Sequence, residues 1–201
     1  MKIGILNIQG DVLEHFKMVE KVMKILNIEG SPVLVKNKDD LKDLIGLIIP
    51  GGESTTISRF LKKNDLYNII RDNVLNNSLG VMGTCAGAIV ISRYTGDSRV
   101  DPMNLINVKI KRNAYGRQYS SFQVDLNIKG FNSPFPAVFI RAPVIEAIGN
   151  DVEVLSKYKD DIVFVSKEKI LALTFHPELT GDYRIHKLFI ERVRGISTGN
   201  Y

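Results

Sequence analysis

Short apolar runs constrain the fold of this chain more than any other feature. Residues 2–8, 32–35, 44–49 and 79–82 are such runs, rich in Ile, Leu and Val and without the alternation of a half-exposed strand. Between the first two runs, apolar residues recur at helical spacing from Val12 to Leu26. Doubly buried strands joined by an amphipathic helix predict βαβ units, and therefore an α/β fold with a mainly parallel central sheet.

The rest of the chain adds helices and a different kind of sheet. Apolar spacing predicts helices over residues 54–76, 84–92 and 183–194, and strands over 152–155, 162–165 and 170–174. Residues 105–111, 121–128 and 137–140 also resemble strands but have no long helices between them, which indicates a mixed or antiparallel portion covering one edge. Because no linker, repeat or shift in composition interrupts the 201 residues, we expect a single domain over residues 1–201.

Composition excludes several classes of protein. The longest apolar stretch is far shorter than a membrane span of about 18–20 residues, and polar residues interrupt the N-terminal run, so a cytoplasmic protein is expected. The net charge of +5 comes from lysines interleaved with acidic residues, and no nucleic-acid motif accompanies them. A single cysteine cannot form an internal disulfide, which leaves Cys85 as core filler, a reactive thiol or an intermolecular link.

Cys85 lies in the context of a nucleophile elbow. The segment Gly83-Thr84-Cys85-Ala86-Gly87 follows a predicted strand and opens a predicted helix, as G-x-S-x-G does, with sulfur in place of oxygen. A side chain held on so sharp a turn crowds the residues two positions away on either side, which explains a glycine at both. The sequence therefore predicts a nucleophilic thiol, with a buried inert thiol as the alternative.

His176-Pro177-Glu178 follows the predicted strand over residues 170–174 and offers the base that such a thiol needs. On an extended segment, residues two apart point the same way, so we expect Glu178 to orient the imidazole while His176 faces the thiol. His15 and His186 lie on predicted helices, where packing or exposed positions are expected. His186 and Asp182 could form a metal pair, but no Cys or third His completes it, and no metal site is predicted.

The segment Pro50-Gly51-Gly52-Glu53-Ser54 is a third loop between a strand and a helix. It lacks the lysine and the spacing of a phosphate-binding loop. The interpretation favoured here is an oxyanion hole, in which a backbone N–H of Gly51 or Gly52 and that of Ala86 stabilise a tetrahedral intermediate. The alternative is a plain tight turn capped by Ser54.

The motifs together resemble the glutaminase subunits of pyridoxal 5′-phosphate synthase, which are class I, triad-type glutamine amidotransferases. The resemblance rests on residues 7–10 with His15, 50–56, 83–87, 112–118, 139–143 and 175–179. It implies a three-layer, flavodoxin-like α/β domain with Cys85 as nucleophile, His176 as acid and base, and Glu178 as its orienter. It also implies contacts to L-glutamine from the following residues: Gly51, Gly52, Glu53, Arg112, Ile140 and Arg141.

The same resemblance implies a partner. Members of this family deliver ammonia to a (β/α)₈ synthase subunit within a hetero-oligomer, and the segment at Gln9 and Gly10 lies near the shared interface; no cofactor is implied. The chain departs from the usual pattern at Asn7, at Asp11 and over residues 167–169, where a turn containing glycine is common. Three alternatives remain: a glutaminase subunit of another pathway, a non-catalytic interaction module, and a stand-alone cysteine hydrolase or redox sensor.

Overall fold

The computed structural model describes residues 1–111 and 121–196. Its five α-helices are α1 (Val12–Ile25), α2 (Ser54–Lys63), α3 (Leu66–Leu75), α4 (Ala86–Ile91) and α5 (Arg184–Val193). Its strands are β1 (Lys2–Leu6), β2 (Ser31–Val35), β3 (Leu44–Ile49), β4 (Gly80–Thr84), β5 (Ser92–Tyr94), β6 (Ile106–Lys111), β7 (Ser121–Leu126), β8 (Phe135–Ile140), β9 (Val144–Ile148), β10 (Glu153–Tyr158), β11 (Asp161–Lys167) and β12 (Ile170–Leu173). Short 3₁₀ helices cover Lys38–Leu41 and Pro177–Leu179.

The central sheet is parallel on one side and mainly antiparallel on the other. Its strand order is β2-β1-β3-β4-β12-β11-β9-β6-β5, with β10 paired to β11. The first five strands of this order are mutually parallel, whereas β11 pairs antiparallel with its neighbours β12 and β9. The parallel half and the mixed half predicted from the sequence are therefore confirmed.

Helices cover both faces of the sheet and create two cores. Strand β3 shows why: its side chains alternate, so Leu47 and Ile49 pack towards α2, α3 and α4, while Ile48 packs towards α1 and α5. The second core also contains the aromatic residues Phe135 and Phe139 of the ribbon formed by β7 and β8. This arrangement is the predicted three-layer, flavodoxin-like architecture.

Several local predictions were wrong. The helix predicted over residues 54–76 is broken between α2 and α3, where Asp65 adopts a left-handed conformation that Asp tolerates better than most residues. Strands β5 and β9 were missed. The predicted strands at 121–128 and 137–140 pair with each other as a separate ribbon and do not extend the edge of the main sheet. Within the described part of the chain, no helix is both long enough and apolar enough to span a bilayer.

Candidate active site

The candidate residues meet because four neighbouring strands end together. Strands β1, β3, β4 and β12 are adjacent and parallel, so their carboxyl ends lie at one edge of the sheet. Within five residues of those ends stand Asp11, Gly51, Cys85 and His176. The topology, rather than closeness in sequence, brings these residues together.

Cys85 occupies a strained turn between β4 and α4. Its backbone angles are φ 48° and ψ −106°, in a region that non-glycine residues rarely adopt. The backbone N–H of Cys85 donates to the carbonyl oxygen of Leu173 on β12 at 2.8 Å, which anchors the turn to the neighbouring strand. The Cys85 side chain is thereby directed into the cleft at the sheet edge, where Sγ lies 3.8 Å from the carbonyl oxygen of Ile140.

Two glycines allow this turn to pack. A Cβ atom on Gly83 would approach the Gly87 backbone to 2.7 Å, and one on Gly87 would overlap the carbonyl oxygen of Ile49 on β3. Both contacts are with backbone atoms, which cannot move aside as a flexible side chain could. The crowding expected from the sequence is present, and the most severe contact would be between a Cβ on Gly87 and the adjacent strand β3.

His176 lies beside the thiol and is held by a carboxylate. It lines the same cleft as Cys85, whose side chain raises the pKa of the imidazole, and its Nδ1 lies 2.8 Å from Oε1 of Glu178. The backbone N–H of His176 donates to Val138 on β8 at 2.8 Å, so the ribbon helps to fix its position. The expected extended geometry was wrong: Pro177–Leu179 is a 3₁₀ helix, whose tight turn brings the Glu178 carboxylate back towards the imidazole.

The electrostatics of this group favour an ionised arrangement. Although burial opposes charge on the imidazole, its hydrogen bonds with Cys85 and Glu178 raise the pKa of His176 to about 10. Burial likewise opposes charge on Glu178, but the contacts with His15 and then His176 lower the pKa of that carboxyl well below its ordinary value. The structure therefore favours a protonated imidazole between the sulfur and an ionised carboxylate.

Asp11 is a second carboxylate beside the same imidazole. Its Oδ2 lies 3.3 Å from Nδ1 of His176, and burial, followed by the nearby Glu178, raises the pKa of Asp11. The ligand atoms of Asp11, His176 and Glu178 lie within 4.8 Å of one another, a spacing that could hold a metal ion. However, the 2.8 Å contact between His176 and Glu178 requires a proton between those two atoms, so we assign no metal to this group.

The loop after β3 lies against the other groups of the cleft. A Cβ on Gly51 would approach Cε1 of His176 to 2.6 Å and Cβ of Cys85 to 3.5 Å, which places Gly51 directly beside both. Gly52 has a positive φ of 133° and contacts the side chain of Gln9, whose Nε2 donates to the Glu53 carbonyl at 3.0 Å. Gly10, with φ 83°, packs on the carbonyl of Gly51. The segment at Gln9 and Gly10 is therefore in direct contact with this loop.

The remaining candidates differ in where they lie. Ile140 and Arg141 line the same cleft of about 370 Å³ as Cys85, Ala86, His176 and Glu53. Oε1 of Glu53 accepts hydrogen bonds from Thr55 at 3.1 and 3.3 Å, so Glu53, and not Ser54, caps α2. Arg112 lies outside the described residues. The cleft volume falls in the range of about 300–1,000 Å³ that is usual for small-molecule sites.

Sequence reasoning missed a part of the site that lies beneath the cleft. His15 and His186 are both fully buried, and Nδ1 of His15 lies 2.9 Å from Nε2 of His186. Nε2 of His15 lies 3.3 Å from Oε2 of Glu178. The resemblance included His15, but its helical position led us to expect a packing or exposed role, because no local spacing relates His15 to Glu178.

The chain is similar to known proteins in both structure and sequence. A solved structure described as a glutamine amidotransferase is 40% identical, superimposes with a TM-score of 0.86, and covers 96% of this chain and 98% of its own. The pyridoxal 5′-phosphate synthase subunit PdxT of Picrophilus torridus is 48% identical over 97% of this chain and 100% of its own length. The same-named protein of Kosmotoga olearia is 45% identical over 97% of this chain and 99% of its own.

Fold and site together define the class of the protein as a glutamine amidotransferase of the flavodoxin-like, class I architecture. The family model for the SNO glutamine amidotransferase family matches residues 5–195. This chain therefore belongs to the SNO glutamine amidotransferase family.

Glycine at position 87 should be essential for stability. We expect Gly87→Ala to lower the free energy of unfolding by about 1–3 kcal/mol or more, because its Cβ would overlap the Ile49 backbone. Gly181→Ala is the matched control, since a Cβ there meets no atom within 4 Å. Urea unfolding of both variants checks this, and equal midpoints for the two would contradict the proposed packing.

The histidines should titrate far apart. We expect ¹⁵N NMR to show His176 protonated up to about pH 10, while burial lowers the pKa of His186 to about 3 and keeps that ring neutral. Because the folded-state pKa of His176 exceeds its unfolded value of 6.5, its contribution to stability is complete below pH 6.5 and is lost as the pH rises through about 10. Glu178→Gln should lower the titration midpoint of His176. An imidazole of wild-type His176 that titrates near pH 6.5 would refute this electrostatic account.

Proposed function

We propose that this chain hydrolyses L-glutamine to L-glutamate and ammonia, with Cys85 as the nucleophile, His176 as the acid and base, and Glu178 as the residue that orients His176. One observation carries the proposal: the imidazole of His176 shares a cleft with the thiol of Cys85 and lies 2.8 Å from the carboxylate of Glu178, at the ends of two adjacent strands. A buried inert thiol would have no use for this arrangement. Membership of a glutamine amidotransferase family supports the choice of substrate.

The chemistry follows from the protonation states. The Cys85 thiolate attacks the side-chain amide carbon of glutamine, and the protonated His176 gives its proton to the departing nitrogen, which leaves as ammonia. The product is a thioester on Cys85. Neutral His176 then accepts a proton from water as the water attacks the thioester, and the C–S bond breaks to release L-glutamate and to restore the Cys85 thiolate beside protonated His176. Glu178 remains ionised throughout and stabilises the imidazolium.

The loop residues supply binding and charge stabilisation in this proposal. The N–H groups of Ala86 and of Gly51 or Gly52 stabilise the oxyanion, and the position of Gly51 beside Cys85 supports this role. The amino-acid end of glutamine binds to Gly51, Gly52, Glu53, Arg112, Ile140 and Arg141. The location of Ile140, Arg141 and Glu53 around the cleft supports their inclusion. A free amino acid carries a carboxylate and an ammonium, so it needs both donors and acceptors.

We further propose that the ammonia passes to a separate synthase. The similar proteins of P. torridus and K. olearia are named as subunits of pyridoxal 5′-phosphate synthase, and a subunit implies a partner. In our proposal the partner is the (β/α)₈ synthase subunit, bound in the cytoplasm as a hetero-oligomer through a surface that includes Gln9 and Gly10. The contact of these two residues with the loop at Gly51 and Gly52 supports a link between docking and catalysis.

Removal of the thiol tests the chemistry. We expect Cys85→Ala to abolish glutamate release, a fall of at least about 10³-fold, because no other group forms the thioester. The variant should retain its circular dichroism spectrum and should still co-elute with the synthase. Glutamate formation is measured by a coupled dehydrogenase assay. Glutaminase activity retained by Cys85→Ala would reject Cys85 as the nucleophile, and peroxide oxidation of Cys85 without any glutamine turnover would favour a redox sensor.

Addition of the synthase tests the partner. We expect glutamate release by the wild-type chain to rise when the pyridoxal 5′-phosphate synthase subunit is added, and not when the synthase of another amidotransferase is added. Gly10→Ala should weaken this stimulation, because its Cβ would displace the carbonyl of Gly51; Gly181→Ala is the control. Stimulation by an unrelated synthase alone would assign the chain to a different pathway.

A further inference from the structure

A line of four buried polar side chains extends from the candidate active site into the protein. His176, Glu178, His15 and His186 follow one another, and each is at most 5% exposed. The successive contacts measure 2.8 Å from His176 Nδ1 to Glu178 Oε1, 3.3 Å from Glu178 Oε2 to His15 Nε2, and 2.9 Å from His15 Nδ1 to His186 Nε2. The reaction proposed above uses only the first two of these residues.

His15 contacts two parts of the site. Its helix α1 packs with α5, which carries His186, on the face of the sheet beneath the cleft. Nε2 of His15 lies 3.3 Å from Oε2 of Glu178 and also 3.3 Å from Oγ1 of Thr84, the residue directly before Cys85. One imidazole nitrogen therefore contacts both the carboxylate that holds His176 and the residue preceding the thiol.

The second oxygen of Glu178 needs such a neighbour. Oε1 faces His176, whereas Oε2 is fully buried and has no hydrogen bond of good geometry within the described part of the chain. A buried carboxylate oxygen without a partner is strongly disfavoured, so the carboxylate would rotate or become protonated if nothing opposed its charge. In this structure the charge on Oε2 is opposed by the imidazole of His15, whose Nε2 lies 3.3 Å away.

The far end of the line indicates where the protons lie. Nδ1 of His186 is buried and has no hydrogen-bond partner among the described residues. If the proton of His186 is on Nε2, the buried Nδ1 carries only a lone pair. If the proton were on Nδ1, a buried N–H would have no acceptor, which is the rarer situation in proteins. His186 then donates to Nδ1 of His15, and the proton of His15 lies on Nε2, the nitrogen that contacts both Oγ1 of Thr84 and Oε2 of Glu178.

We propose that His15 is a positioning residue, which holds Glu178 so that its other oxygen keeps the imidazole of His176 aligned with Cys85. His186 in turn fixes the ring and the tautomer of His15. This inference rests on the proposed function for its catalytic consequence, but the alignment of His176 with the thiol can be measured without glutamine.

Two amide substitutions separate positioning from packing. The amide nitrogen of Gln reaches about as far as Nε2 of histidine, whereas that of Asn reaches only about as far as Nδ1. His15→Gln therefore retains a donor for Glu178, and His15→Asn retains a polar group towards His186 alone. Val22→Ala, a buried position two turns further along the same helix, is the control for loss of packing.

The first measurement is glutaminase kinetics with the synthase present. We expect His15→Asn to lower kcat by about 10- to 100-fold, as loss of an outer hydrogen-bond partner does elsewhere, with KM changed by less than about threefold. His15→Gln should recover most of the lost kcat. Val22→Ala should lower the melting temperature but leave kcat unchanged. Equal kcat for His15→Asn and wild type, or equal loss in both His15 variants, would overturn the proposal.

The second measurement uses the single cysteine, whose alkylation by iodoacetamide reports on the thiolate at Cys85 alone. We expect the pH midpoint of alkylation to move upward in His15→Asn and to return towards the wild-type value in His15→Gln. Asp11, which also faces His176, is present in all variants and does not account for the difference. An unchanged midpoint in His15→Asn would overturn the inference, whereas a shifted midpoint in a chain that never hydrolyses glutamine would reject only the proposed function.

If His15→Asn does not fold, NMR of the wild-type chain still decides the matter. The proposal requires a proton on Nε2 of His15 whose resonance changes in Glu178→Gln. A His15 ring with no proton on Nε2 would overturn it.

Discussion

The site depends on one backbone conformation, the positive φ of Cys85 at the end of β4. Such a conformation costs of the order of 1–3 kcal/mol and persists only where the surroundings over-determine it. Here β4 lies between β3 and β12, the Cys85 N–H bonds to β12, and Gly87 packs against the carbonyl of Ile49 on β3. The two neighbouring strands thus hold the turn from both sides. A thiol at the same place on a relaxed helix would point elsewhere.

The second constraint is the cost of burying a carboxylate. Glu178 lies beneath the imidazole, with its side chain inaccessible to solvent, and an isolated charge there would cost several kcal/mol. The fold offsets this cost with a histidine on each side of the carboxylate, from α1 and from the end of β12. Burial and pairing therefore act together: the low-dielectric surroundings that oppose the charge also strengthen its attraction to each imidazole.

The sequence could predict the parts of the fold and site that depend on local pattern. Apolar runs and helical spacing gave the parallel half of the sheet and the helices on both faces, and the spacing of glycines around Cys85 indicated the sharp turn. The contact between His176 and Glu178 was expected, but for the wrong reason, because Pro177 begins a 3₁₀ turn where an extended segment was assumed. Local pattern cannot distinguish these two geometries, since both leave residues two apart within reach of each other.

Contacts between distant segments could not be predicted in this way. His15 and His186 are 171 residues apart and meet only because α1 and α5 cover the same face of the sheet. Each sits on an amphipathic helix at a position where a buried residue is required, and the apolar periodicity is the same whether that residue fills space or bears a proton. What distinguishes His15 is the identity of its neighbour, a carboxylate that must remain charged. The chemical role of a buried polar residue is therefore a property of the packed interior, and it can be recognised only when the partner of each buried nitrogen and oxygen is known.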